Sequence, residues 1–198
     1  FLSGRAAVLL AAAIAAAAMT AAPMTASTAA ERPHAVVLMY HRFGETDYPS
    51  TNVRLAQFDA HIEELTSGKY TVRPLSEIVD ALINNRPLAD RTVAITIDDA
   101  CASVYRQAWP RLKKAGLPFT VFVSTDQPDR QRGYMSWDQI RELAADGVEI
   151  GHHGAGHAHM ASISKQQVAV DLARSSRRFE ETLGAAPKIF AYPYGEVS

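Results

Sequence analysis

Short apolar runs alternate with amphipathic stretches from residue 35 to residue 191. Residues 35–40 (AVVLMY) read as an apolar strand that ends at His41. Residues 53–65 place Leu55, Phe58, Ile62 and Leu65 at helical spacing, with Gly68 beyond them as a stop. Residues 70–72 form a short strand, and Pro74 leads into a helix over 76–84 capped by Ser76. Residues 93–97 (VAITI) are a buried strand that runs directly into Asp98 and Asp99. The helix expected over 103–115 carries Pro110 midway and should kink there, and Gly116 and Pro118 end it. Residues 119–123 are the next strand. Ser136 caps a helix over 137–145, which Gly147 stops, and 148–150 form a brief strand. A long helix over 164–183 turns Val168, Leu172, Phe179 and Leu183 inward, and Pro187 precedes a last strand over 188–191.

Apolar strands separated by amphipathic helices imply an α/β fold with a parallel sheet covered by helices. Roughly six strands fit either an open doubly wound sheet or a barrel, and both architectures bind ligands at the C-terminal strand ends. His41, the pair Asp98 and Asp99, the pair His152 and His153, and residues 192–195 all fall at such ends. Successive strand residues face opposite sides, so the two adjacent carboxylates can take different tasks, one on a metal and one on a proton. An Asp-Asp pair by itself reads more simply as a turn former or a helix cap. Two later stretches, 151–159 and 190–195, change that balance.

At 198 residues and 47% hydrophobic content the chain fits one globular domain, although its Ala-rich start inflates the second figure. A net charge of −1 gives no reason to expect nucleic acid as a partner. The single cysteine, Cys101, excludes an internal disulfide and a thiolate zinc cluster, and it reads as a small apolar residue at the start of a helix. Arg5 precedes an apolar run over 6–18 and small residues up to Ala30, the pattern of a secretory signal peptide over 1–30 with Thr28-Ala29-Ala30 at the cleavage site. That run is short for a membrane span. We therefore expect a mature domain over 31–198 without a transmembrane segment, exported to the periplasm, cell envelope or exterior.

Residues 151–159 hold four imidazoles, those of His152, His153, His157 and His159. His153 and His157 can reach one ion from a turn. With one Asp they make a two-His, one-carboxylate set with open positions, suited to a catalytic divalent ion such as zinc. His152 and His159 supply competing registers. An ion of this kind makes hydroxide available near neutral pH. The other Asp can act as general base. Backbone N–H groups of the turn Pro193-Tyr194-Gly195 can hold an oxyanion, and a histidine can protonate a leaving amine.

The order Thr96-Ile97-Asp98-Asp99, Gly151-x-His153-x-x-x-His157 and Tyr192-Pro193-Tyr194-Gly195 resembles the first three motifs of the polysaccharide deacetylases, the NodB-homology or carbohydrate esterase family 4 enzymes. The resemblance spans residues 35–198. It implies a distorted (β/α) barrel and removal of acetyl groups from N-acetylated sugars in cell-envelope or exported polysaccharide. It further implies Asp98 as general base, Asp99, His153 and His157 as metal ligands, and the Tyr194 backbone N–H on the oxyanion. The ion implied is zinc, with cobalt or nickel as alternatives.

The chain departs from the family pattern at four points. Ala100 stands where Gly is frequent, Gly154 where Ser or Thr follows the first metal histidine, and Ala191 where many members carry Arg. The chain also ends at Ser198, before the family's later motifs and their leaving-group histidine, so the barrel is expected to be incomplete at its C-terminus. Met39-Tyr40-His41 resembles the Tyr-His pair of the subgroup that deacetylates poly-N-acetylglucosamine, and this implies His41 as the leaving-group acid. The rivals are an O-acetyl esterase with the same site and a glycan-binding relative without turnover. Trp109 and Phe119 are expected in the core, Trp137 in the core or at the barrel edge with sugar stacking as the alternative, and His34 and His61 in solvent. Tyr40 and Tyr192 either line a glycan groove or pack at strand ends.

Overall fold

The computed structural model describes residues 33–196; the leader expected over 1–30 lies outside the described residues. Strand β1 (Val36–Tyr40) is followed by two-residue strands β2 (Arg42–Phe43) and β3 (Asn52–Val53), and then by helix α1 (Leu55–Thr66). Next come β4 (Thr71–Val72), α2 (Leu75–Ile83) and β5 (Thr92–Ile97). A π-helical turn, Val104–Ala108, leads into α3 (Trp109–Ala115). The remainder is β6 (Thr120–Val123), α4 (Trp137–Ala145), β7 (Glu149–His152) and α5 (Lys165–Leu183), with short 3₁₀ turns at Met160–Ser162 and Pro193–Gly195.

All strand pairs are parallel. The main sheet runs β1-β5-β6-β7, and β4 joins β5. Val93 pairs with both Val36 and Val72, and Ile97 with both Tyr40 and Val121, so β4 and β6 share the edge of β5 opposite β1. Such branching of neighbours along one strand splays the sheet, and among the described residues it does not close on itself. The strand expected over 188–191 shortens to a single parallel bridge between Phe190 and His152.

Every residue of β5 is buried. Ile95 and Ile97 join one apolar cluster with Phe43, Phe58, Val121, Val123, Trp137, Leu143 and Phe179. Trp137 meets Phe179 edge-on at 5.8 Å and 88°, which ties α4 to α5. The β1 sequence reads as a core strand, yet Val36, Val37 and Met39 are exposed. Among the described residues β1 pairs with β5 alone, so apolarity there marks an edge rather than a centre.

Local signals explain most element ends. Ser136 accepts from the Gln139 N–H while the Gln139 side chain accepts from the Ser136 N–H, a reciprocal cap for α4. Ser164 and Gln167 do the same for α5. Gly116 and Gly184 end α3 and α5 in the left-handed conformation. Pro110 has no N–H to give to the preceding turn, and the chain accommodates it by widening that turn into the π-helical segment rather than by a simple kink. The cap expected at Ser76 is not made; Pro74 is the capping residue of α2 and offers no side-chain bond. Trp109 is half-buried against the core, its indole N–H donating to Asp146 at 2.9 Å. His34 is exposed. His61 does not face solvent as expected; it is half-buried and bonded to the Tyr40 hydroxyl at 2.9 Å.

Candidate active site

Parallel strands end side by side, so the residues just after β1, β5 and β7 share one rim. They are His41, Asp98 with Asp99, and His153. The Asp98 N–H donates to Tyr40 O at 2.8 Å and carries the β1–β5 pairing one residue past the strands. The chain then turns sharply, with φ of 71° at Asp99 and 55° at Ala100. Asp tolerates this left-handed region through its short polar side chain, whereas Ala does so at a cost of roughly 1–2 kcal/mol. A glycine would relax that strain, which gives the Ala100 departure a physical meaning. Ala100 O accepts from Met135 N at 2.9 Å, and Cys101 bridges to Tyr134, so a second segment clamps the turn. Cys101 is buried and its thiol is pushed up to about 12, first by burial, which keeps it out of nucleophilic chemistry.

The Asp99 carboxylate faces two imidazoles. Its Oδ1 lies 3.1 Å from His157 Nε2 and 3.7 Å from His153 Nε2. One ligand atom from each of the three residues falls within 4.8 Å of the others. His153 is fixed by a bond from its Nδ1 to the Ala191 carbonyl at 2.8 Å. A carbonyl only accepts, so Nδ1 carries the proton and Nε2 presents a lone pair toward Asp99. Burial pushes the His153 imidazolium down to about 4, so the ring is neutral near pH 7. Burial also acts on Asp99, but His157, His41 and His153 around it hold its carboxyl below the usual range.

Asp99 Oδ1 is buried and makes no hydrogen bond. An ionised oxygen facing a nitrogen lone pair is repulsive unless a cation sits between them. The neutral His153 nitrogen, the His157 nitrogen 3.1 Å from the same oxygen and the Asp99 carboxylate therefore form a donor set that fits a divalent ion with positions left open.

The competing registers point elsewhere. His152 packs between Phe179 and Phe190 at ring separations of 5.3 and 5.4 Å, and its Nδ1 accepts from the Gly154 N–H. His159 stacks flat on Tyr194 at 3.7 Å and meets Glu196 at 3.1 Å. Tyr194 in turn lies edge-on to His157 at 4.5 Å. It has φ of 62° within its 3₁₀ turn, where Gly195 N–H donates to Tyr192 O.

Asp98 is 7% exposed, and its carboxyl is pushed up to about 7 by burial first and by the charge of Asp99 second, against a lowering by His157. His41 is half-buried at the same rim. Burial lowers its pKa while Asp99 pulls the other way. Tyr40 and Phe43 flank this side, the Tyr40 ring lying 5.4 Å from Phe58. The structure thus brings Asp98, Asp99, His153, His157, His41 and Tyr194 to one place. Sequence reasoning missed two partners. The Ala191 carbonyl belongs to the backbone and leaves no sequence signal. Asp171 on α5, bonded to the loop between the two histidines, reads in sequence as an ordinary helical acid.

Comparison with known proteins follows the same lines. The polysaccharide deacetylase family model matches residues 85–198. The chain is 27% identical to the Bacillus subtilis protein YxkH, over 80% of this chain and 56% of that one. It is 23% identical to the poly-β-1,6-N-acetyl-D-glucosamine N-deacetylase of Staphylococcus aureus, over 81% of this chain and 64% of the other. It therefore spans little more than half the length of the first of these relatives. Among solved structures, IcaB from Ammonifex degensii superposes with a TM-score of 0.75 at 31% identity, covering 85% of this chain and 77% of that one. The Streptococcus pyogenes deacetylase PplD shares the fold at a TM-score of 0.77 and 23% identity, covering 85% and 77%. No helix among the described residues is long and apolar enough to cross a membrane. Motifs, strand-end geometry and these likenesses lead to one conclusion: the chain belongs to the polysaccharide deacetylase family.

Proposed function

We propose that the chain removes N-acetyl groups from amino-sugar polysaccharide of the cell envelope or its exported matrix by metal-dependent hydrolysis. The observation that carries this reading is the convergence of Asp99, His153 and His157, one ligand atom each within 4.8 Å, beside a buried Asp98. Those three residues would hold the cation, zinc first and cobalt or nickel as alternatives, and the cation would supply Lewis acidity to the attacking water and the acetyl carbonyl.

The remaining steps belong to side chains and backbone of this chain. Asp98 is the general base, and a carboxyl pushed up to about 7 has a better proton affinity for that task than an ordinary Asp. It takes the proton of the attacking water as the new carbon–oxygen bond forms. The Tyr194 N–H, in a turn held left-handed, donates to the oxyanion of the tetrahedral intermediate. His41 then gives a proton to the departing sugar nitrogen as the carbon–nitrogen bond breaks, and acetate and the free amine leave. Residues 31–198 form the deacetylase domain, and the leader pattern over 1–30 supports export.

The likeness to the poly-β-1,6-N-acetyl-D-glucosamine N-deacetylase and to IcaB favours an N-acetylglucosamine polymer as substrate. The test sets acetate release from N-acetylglucosamine oligomers beside release from an O-acetylated glycan. Preference for the amide substrate is expected. Release from the ester alone points to an O-acetyl esterase, and retention of glycan without release from either points to a binding protein.

A further inference from the structure

We infer that Asp171 is a positioning residue for the metal centre, a buried carboxylate that occupies the backbone cradle between the two histidine ligands and fixes their separation. The inference rests on the proposed ligand set. Three residues, Gly154, Ala155 and Gly156, separate His153 from His157, and two of them are glycines with little intrinsic stiffness. His157 also has φ of 52°, a strained conformation that the surroundings must enforce.

Successive N–H groups in such a loop point the same way and make a concave anion site. Here the protein fills that site itself. Asp171 Oδ1 accepts from the Ala155 N–H at 2.8 Å and Oδ2 from the Gly156 N–H at 3.0 Å, so both oxygens are used on adjacent amides. A Cβ added at Gly154 would come within 2.8 Å of the same Oδ1, so the glycine and the carboxylate are matched in space. This also accounts for Gly154 at the position after the first metal histidine, since any side chain there would displace Asp171.

The rest of the loop backbone is satisfied by fixed groups. Gly154 O accepts from Ser175 Oγ at 3.0 Å and from Thr125 N at 3.1 Å, and Ala155 O accepts from Asp126 N at 3.0 Å. Ser175 lies four residues beyond Asp171 on α5, on the same helix face. Arg174 braces the arrangement, 3.4 Å from Asp171 and 2.8 Å from Asp126. Removal of the carboxylate leaves the buried Ala155 amide and the adjacent, more exposed Gly156 amide without their acceptor at the centre of the ligand loop, and the loop then relaxes away from the geometry that aims His157 at Asp99.

The test is cobalt(II) titration of the full chain by chelator competition, together with the visible absorption spectrum of the bound ion. Asp171→Asn keeps the shape but turns one acceptor into a donor facing an N–H, and it should weaken cobalt binding by about tenfold or more and shift the visible bands. Arg174→Gln, a surface change, should weaken binding in the same direction by a few-fold, on the order of a weak ion pair. Leu112→Ala, in the core on α3 and away from the histidine loop, should lower the melting temperature without altering cobalt affinity or spectrum. Parent-like cobalt binding by both Asp171→Asn and Arg174→Gln overturns the inference, as does equal weakening by Leu112→Ala at matched stability. Should Asp171→Asn fail to fold, Arg174→Gln decides alone, and parent-like binding overturns it. A parent chain that takes up no cobalt overturns the metal reading and this inference with it.

Discussion

Gly151 opens the histidine loop, and the structure gives a steric reason for it that a single substitution can test. Gly151 on β7 pairs directly with Phe122 on β6, and the Phe122 ring lies over the glycine. A Cβ at position 151 would sit 2.4 Å from two carbons of that ring. Carbon atoms prefer about 3.5–4.0 Å, so the overlap exceeds an ångström. Phe122 is 3% exposed and its ring lies 6.3 Å from that of His153, so it has little room to yield. Gly151→Ala should cost roughly 1–3 kcal/mol by overpacking, and each kcal/mol lowers Tm by roughly 2–4 °C in a domain of this size. Thermal melts in chelator measure that loss free of any contribution from bound metal. Phe122→Leu in the Gly151→Ala background should recover stability, with a coupling energy of about 1 kcal/mol or more in the double-mutant cycle. A Gly151→Ala protein with parental Tm, or strictly additive losses in the double mutant, would rule out the steric conflict between position 151 and the Phe122 ring.

Three further outcomes follow from the same geometry. His41→Ala should lower kcat on N-acetylated sugar by about 10²-fold or more while sparing an aryl acetate, whose leaving group needs no proton; equal losses on both substrates would remove His41 from the acid role. Ser136→Ala should destabilise by about 1 kcal/mol in urea melts because it deletes a reciprocal cap, whereas Ser76→Ala, whose side chain caps nothing, should leave the midpoint within error. Asp98, with a folded-state carboxyl at about 7 against 3.8 unfolded, holds a proton in the folded chain that the unfolded chain releases. Its contribution to stability is therefore complete below pH 3.8 and lost as pH rises through 7, a span of about 4 kcal/mol, so Asp98→Asn should gain on the parent by that order between pH 4 and pH 8 in chelator; a pH-independent difference would contradict it.

Much of this was legible in the sequence because the fold repeats one device. Apolar runs such as 93–97 and 119–123 became parallel strands, and the polar residues immediately after them landed on one rim because parallel strands end together. The sequence alone left His152 and His159 open against His153 and His157. The structure separates them through contacts that spacing cannot encode, tilted ring contacts with Phe179 and Phe190 for His152 and a Tyr194 stack for His159. Apolarity misled at β1, since Val36, Val37 and Met39 look like core residues whether a strand lies at an edge or at the centre. The Ala191 carbonyl that orients His153 could not be read at all, because every residue has one. Asp171 had a faint signal, an acid on the inward helix face shared with Val168, Leu172, Ser175 and Phe179. Most acids on helices are solvated, so only the structure distinguishes it.

The central claim, that these strand ends form a metal-dependent deacetylation site with Asp98 as its base, is tested most directly by acetate release from N-acetylglucosamine oligomers. The same preparation is assayed as purified, after chelation and after return of zinc or cobalt, beside an Asp98→Asn protein. Release should disappear with chelator and return with the ion, and the Asp98→Asn protein should still bind cobalt but turn over at least about 10²-fold more slowly. Release that persists in chelator, or near-parental turnover by Asp98→Asn, would contradict that claim.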